Sequence, residues 1–222
     1  YRFVFSLIES AQKNGVELKT SCEVVEATWK EAHFTLTSHK GEKIRTRYAI
    51  NAGGLFADQV SDLFGAEAFS IHPRKGEEFL LDKNAAGLTN KVIFPVPSQV
   101  SKGMLVIPTV EGTCMVGPTA TALDNKEDLS TSKENFERIF SSARRLVPRI
   151  SERDIITSFA GLRPALEGDD FYIDISPKQP HLIQVAGIQS PGLTAAPAIA
   201  EYVKDLLKKA GQRLVEKTEY DP

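Results

Sequence analysis

Apolar residues fall at Phe3, Val4, Leu7, Ile8 and Ala11. That spacing predicts a helix over residues 1–14 with one buried face. Asn14-Gly15 ends it, because glycine readily takes the left-handed conformation at a helix end. Val16 to Lys19 reads as a short strand. Three longer strand-like runs follow: Cys22 to Trp29, His33 to Ser38 (Phe34 and Leu36 on one side), and Lys43 to Asn51 after the turn at Lys40-Gly41. Alternating runs joined by short turns predict an antiparallel meander. The last run enters Asn51-Ala52-Gly53-Gly54, and a helix is expected from Phe56 to Phe64.

From Phe69 to Gly117 the texture changes. Short apolar runs at residues 79–81, 92–94, 104–107 and 114–116 are separated by Pro, Gly and Asn. They predict an antiparallel sheet. Residues 124–132 are loop-like, and Thr131 or Ser132 could cap a helix that runs to Val147 and stops at Pro148. A strand near Ile155 to Phe159 leads into Ala160-Gly161-Leu162-Arg163-Pro164 and a polar turn at Glu167 to Asp170. Two more strands are expected, Phe171 to Ile175 and His181 to Ala186. A tight loop from Gly187 to Gly192 then opens a last helix, Leu193 to Ala210, and the charged tail from Gly211 is expected to fray.

The chain has 222 residues, enough for one large domain or two small ones. Hydrophobic content of 41% and charged content of 25% are ordinary for a soluble globular protein. A net charge of −2 gives no electrostatic reason to expect a nucleic-acid partner. The pairs Arg144-Arg145 and Lys208-Lys209 read as solvated helix faces. Cys22 and Cys114 show neither zinc spacing nor a disulfide framework, which fits a reduced, cytoplasmic protein. No apolar run approaches the ~20 residues of a membrane span, and no signal peptide is visible. Membrane association of a longer parent stays open. The opening at Tyr1, inside an amphipathic pattern and without Met, suggests a chain cut from a longer protein.

The sequence has no Gly-x-Gly-x-x-Gly turn, no Walker loop, no Gly-x-Ser-x-Gly elbow and no His-Glu-x-x-His. Its four histidines are scattered, so no metal site is expected. Three segments remain as candidates for chemistry. The first is the loop from Gly187 through Ser190, Pro191, Gly192, Leu193 and Thr194, where a strand feeds a helix start. Unpaired N–H groups and the positive dipole end suit an anion or an electron-rich carbonyl. An ordinary glycine-rich connection would look the same. The second is Arg163, whose planar fork suits a carboxylate or phosphate, or a structural ion pair. The third is Pro73-Arg74-Lys75-Gly76-Glu77-Glu78-Phe79, where a carboxylate could accept a proton, or where a charged turn could sit in solvent.

In their order and spacing, these segments resemble the D-amino-acid-oxidase-like superfamily of FAD enzymes, over nearly the whole chain. The resemblance rests on Asn14-Gly15-Val16, Asn51-Ala52-Gly53-Gly54 with Asp58 behind it, Pro73-Arg74-Lys75-Gly76-Glu77, Gly117-Pro118-Thr119, Gly161-Leu162-Arg163-Pro164 and Ser190-Pro191-Gly192-Leu193-Thr194. Within the superfamily the chain looks most like bacterial glycerol-3-phosphate dehydrogenases, and next like L-2-hydroxyglutarate oxidases.

The resemblance implies an α/β protein with α+β character. Residues 1–68 and 154–210 would be the remaining part of a FAD-binding domain, 69–153 a substrate domain on an antiparallel sheet, and 211–222 a tail. It implies oxidation of a secondary alcohol bearing a phosphate or carboxylate, with electrons passing through FAD to an acceptor of unknown identity. Gly53, Gly54 and Gly161 would lie near FAD, and the loop Gly187, Ser190, Pro191, Gly192, Leu193 and Thr194 would face the flavin. Arg163 and Lys75 would bind the acidic substrate, and Glu77 or Glu78 would face it as a catalytic carboxylate. The family's N-terminal dinucleotide turn is absent, so the fragment alone is expected to be colourless and inactive. Well-known glycerol-3-phosphate dehydrogenases carry Gly-Gly-Lys-Leu-Thr where Ser190 to Thr194 stand, so a 2-hydroxy acid stays open as substrate. An amine or amino-acid oxidase is the rival enzyme, and a FAD-free binding module the rival outside enzymes.

Overall fold

The structure is a computed structural model that describes residues 1–96 and 103–221. In chain order its elements are α1 (Arg2–Lys13), β1 (Val24–Lys30), β2 (His33–Ser38), β3 (Lys43–Thr46), β4 (Ala49–Asn51), α2 (Ala57–Leu63), β5 (His72–Leu81), β6 (Leu105–Pro108), β7 (Cys114–Gly117), β8 (Thr121–Ala122), α3 (Lys133–Leu146), β9 (Ile155–Ala165), β10 (Tyr172–Ile175), β11 (Leu182–Ala186) and α4 (Gly192–Lys209). This is a mixed α and β architecture. The strand expected over Met104 to Ile107 forms as β6, starting at Leu105.

The expected meander forms as β1-β2-β3. The run Lys43 to Asn51, expected as one strand, divides at Arg47-Tyr48. Its first half ladders antiparallel with β2, while its second half, β4, pairs parallel with β11. Two partners in different sheets require the break. Val16 to Lys19 forms no strand, since no neighbour among the described residues offers it a ladder. Of the apolar run at 92–94, Ile93 makes an isolated bridge to Val106.

The helix α1 forms where expected, but none of its residues is buried. Phe3, Val4 and Leu7 stay exposed because nothing among the described residues packs on that face. The tail does not fray freely. Asn14 donates to the Asp221 carbonyl at 2.6 Å, and the Lys217 ammonium reaches the Asn14 carbonyl.

The largest sheet has β5 at its centre. β9 pairs antiparallel with β5 along its full length on one edge, and β7 and β8 share the other. The expected strand at 155–159 and the Ala160 to Pro164 run are thus one strand. Ser132 caps α3, accepting from the Asn135 N–H at 3.2 Å. Ile139, Phe140 and Ala143 of α3 pack on Phe79, Leu81, Val106 and Val116 to form the main core. Phe79 stands edge-on to Phe140 with ring centres 5.5 Å apart. A second core joins the meander to α2 through Phe34, Phe64 and Leu182. A third buries Val203 and Leu206 of α4 on Ile183.

Candidate active site

Strand periodicity decides which side chains of β5 meet. Successive residues point to opposite faces, and Phe79 and Leu81 face the α3 core. Lys75 and Glu77 share their parity and are buried on that side. Glu77 accepts from the Ser132 N–H at 2.8 Å and from the Asn135 amide at 2.6 Å. Lys75 donates to Asp128 at 2.9 Å and to the Ser130 carbonyl at 3.0 Å, with Glu77 3.9 Å away. Through these bonds Glu77 and Lys75, expected as a catalytic carboxylate and a substrate cation, tie the start of α3 to β5. Asp128, bonded to Ser130 and Lys75, is held well below the usual carboxylate range.

Arg74, Gly76 and Glu78 point to the other face. Directly across the ladder stand Arg163, Gly161 and Phe159. The Arg163 guanidinium lies over Gly76 and donates to the Thr119 carbonyl at 3.2 Å. Burial pushes the Arg163 pKa down; Glu78 opposes that and Arg74 adds to it. Burial pushes Glu78 up, and Arg163 opposes the rise. Of the two expected carboxylates, Glu78 is the one that shares a face with Arg163.

The end of β9 and the loop before α4 line one cleft of about 440 Å³, walled by Leu162, Arg163, Pro164 and residues 188–194. The chain between them returns through the antiparallel β10–β11 pair, in which Tyr172 stands opposite Ala186. Gly187 has φ +70° and sits against Leu166, where a Cβ would come within 2.5 Å. At the helix start Gly192 donates to the Gln189 carbonyl at 2.6 Å, and Thr194 and Ala195 donate to the Pro191 carbonyl. The structure therefore brings Arg163, Ser190, Pro191, Gly192, Leu193 and Thr194 together.

Gly53 and Gly54 form a separate turn between β4 and α2. Asn51 fixes it: its amide donates to the Ala57 carbonyl and to Gln184, both at 2.7 Å, and its side-chain oxygen accepts from the Gly53 N–H at 3.1 Å. Gln184 passes the chain of bonds on to Ser61 and Glu67. Glu67 also accepts from Tyr172 at 2.6 Å and from Ser176. Burial raises the Glu67 pKa, but these donors outweigh it and leave it below the usual value. Asp58, just behind the turn, takes both Lys126 and the Ile71 N–H.

One residue of this region has no signal in the sequence. Asp169 accepts from Arg74 at 2.7 Å and lies 3.3 Å from the Gln189 amide. It ties β5 to the loop before α4. Nothing in a polar turn marks one acidic residue over its neighbours, so no local signal pointed to it. Among the described residues no group of His, Cys, Asp and Glu could hold a metal ion.

The family model for FAD-dependent oxidoreductases matches residues 1–206. The chain belongs to the FAD-dependent oxidoreductase family. It is 39% identical over its full 222 residues to a glycerol 3-phosphate dehydrogenase of Caloramator mitchellensis, spanning 46% of that protein. It is 28% identical to a mitochondrial L-2-hydroxyglutarate dehydrogenase of Arabidopsis thaliana, over 69% of this chain and 36% of the relative. The structure superposes on a dithionite-reduced L-alpha-glycerophosphate oxidase from Mycoplasma pneumoniae with FAD bound, at a TM-score of 0.86 and 28% identity, covering 96% of this chain and 56% of that one. The chain thus spans about half the length, or less, of these proteins.

Two bare glycines fit the close approach of a cofactor to the backbone. A Cβ on Gly161 or on Gly54 would meet nothing within 4 Å, so both glycines leave room beyond the chain's own surface. The start of α4, which has no side-chain cap, turns its positive dipole end toward the cleft it lines with Arg163.

Proposed function

We propose that the whole protein oxidises a secondary alcohol carrying a phosphate or carboxylate, using FAD. The observation that carries this reading is the shared cleft of Arg163 and the 188–194 loop. It sets a half-buried cation beside a helix start suited to the electron-rich edge of a flavin. Gly53, Gly54, Gly161, Gly187 and residues 190–194 would hold the cofactor. When bound, FAD supplies the acceptor for the two electrons leaving the substrate carbon.

The chain's own residues do the rest. Arg163 binds the acidic end of the substrate and fixes which carbon faces the cofactor. Its Thr119 bond and the bare Gly76 beneath it hold the guanidinium in place. Glu78, whose carboxyl is pushed up by burial, is suited to accept the hydroxyl proton. In this reading residues 1–68 and 154–210 serve the cofactor and 69–153 the substrate, with β9 crossing into the sheet centred on β5. Among the described residues no helix is long and apolar enough to cross a membrane.

The similarity to a glycerol 3-phosphate dehydrogenase supports a phosphate ester as substrate. Gly192, at the place where the resemblance puts a lysine in glycerol-3-phosphate dehydrogenases, favours a 2-hydroxy acid as the second reading. Anaerobic titration of the full-length flavoprotein with glycerol-3-phosphate and with L-2-hydroxyglutarate separates them. Bleaching of the flavin spectrum by one fixes the substrate class, and bleaching by neither overturns the secondary-alcohol reading. Arg163→Ala should lower kcat/KM on that substrate by about 2–3 kcal/mol of lost charge-assisted binding.

A further inference from the structure

Arg74 and Arg163 are Cα partners in the β5–β9 ladder. Directly opposed residues of an antiparallel pair share a face, with Cβ atoms about 4.5–5.5 Å apart, and like charges placed so are destabilising. A sheet that keeps two arginines in register carries that cost for a reason. Arg163 is half-buried at the cleft. The Arg74 fork is held from one side, by Asp169 at 2.7 Å. A guanidinium has five N–H donors, and among the described residues this is the single side chain that Arg74 bonds. Asp169 in turn lies 3.3 Å from Gln189, on the loop that lines the cleft. The second cation is therefore anchored to the cleft and keeps donors to spare.

We infer that Arg74 and Arg163 form a two-cation clamp for a substrate bearing two negative charges, a phosphate monoester or a dicarboxylate, with Arg74 as the residue that selects dianions over monoanions. This rests on the secondary-alcohol reading above and deepens it. Asp169 is a positioning residue: it sets the plane of the Arg74 fork.

The test uses the full-length flavoprotein and its R74A, R74K and D169N variants, each checked for flavin content. Rates are measured with glycerol-3-phosphate, L-2-hydroxyglutarate and the monoanion L-lactate. In R74A the ratio of kcat/KM for the preferred dianion to that for lactate should fall about 10- to 100-fold. R74K should recover part of it, and D169N should raise KM more than it lowers kcat. Whichever dianion shows the fall identifies the source of the second charge. An unchanged ratio in R74A and R74K overturns the clamp. Inorganic phosphate at pH 8, titrated against flavin fluorescence, reads the same pair without turnover. If the enzyme oxidises amines only, the alcohol reading fails. A phosphate Kd raised at least tenfold by R74A would still uphold the clamp, and an equal Kd would overturn it.

Discussion

The guanidinium of Arg163 occupies the space that a side chain on Gly76 would fill. A Cβ built on Gly76 would lie 2.4 Å from Nη2 of Arg163 and 3.1 Å from its Cζ. Gly76 is thus a cradle for the cation that the cleft places beside the helix start. Gly76→Ala should displace that flexible tip at small cost to the fold, about 1 kcal/mol. In the full-length enzyme kcat/KM on acidic substrates should fall about tenfold, a shift near 1.4 kcal/mol. A thermal melt and steady-state kinetics on the same sample check both halves, and unaltered kinetics would show that the arginine's position does not matter.

Glu77 anchors the start of α3, and its variants separate that role from catalysis. Glu77→Ala leaves the Ser132 and Asn135 donors unmet and Lys75 buried beside a weakened set of partners. Loss of one partner of a buried ionic network costs about 3–5 kcal/mol. Glu77→Gln keeps the shape and should cost about 1–3 kcal/mol. Urea unfolding should rank wild type, Gln and Ala in that order. An Ala variant as stable as wild type would remove the anchoring role.

Asp58 makes stability depend on acidity. Burial raises its pKa, but the Lys126 ammonium and the Ile71 and Gln59 N–H groups outweigh that and hold it below its ordinary value of 3.8. A depressed folded-state value means that stability is present above the unfolded pKa and is lost as pH falls through the folded one. Asp58→Asn should therefore be less stable by about 2 kcal/mol at pH 7. The gap should narrow once pH drops below 3.8. Denaturation curves at pH 7 and pH 3 test this, and a gap independent of pH would show that charge is not the cause.

Gly192 sits under Ile188, where a Cβ would come within 2.4 Å of Cγ2. Gly192→Val should push the loop away from the α4 start and reduce flavin retention in the full-length protein. The ratio of flavin to protein absorbance after gel filtration measures it. Normal retention would place the cofactor elsewhere.

Part of this site was open to reading from β5 alone. Phe79 and Leu81 are apolar, so their parity marks the core side of the strand. Lys75 and Glu77 share that parity, and Arg74, Gly76 and Glu78 do not. The period of two already separated the anchoring pair from the pair that faces Arg163. Along the sequence alone, Arg74, Lys75, Glu77 and Glu78 crowd around Gly76 as a single cluster of charge, which hides that division.

The sequence by itself determined the local elements. Apolar spacing placed α1, Thr131 or Ser132 with Pro148 bounded α3, the loop from Gly187 to Gly192 opened α4, and alternation with turn residues marked the meander. Glycine-rich junctions after β4 and β11 showed where backbone stays bare beside a helix start. The tertiary structure decided which elements became neighbours. The opposition of Arg74 and Arg163, 89 positions apart in the chain, exists through the β5–β9 ladder. The break of one apolar run into β3 and β4 reflects partners in two sheets. Such pairings depend on hydrogen bonds and burial supplied by distant residues, and those are not encoded in the spacing of any one segment.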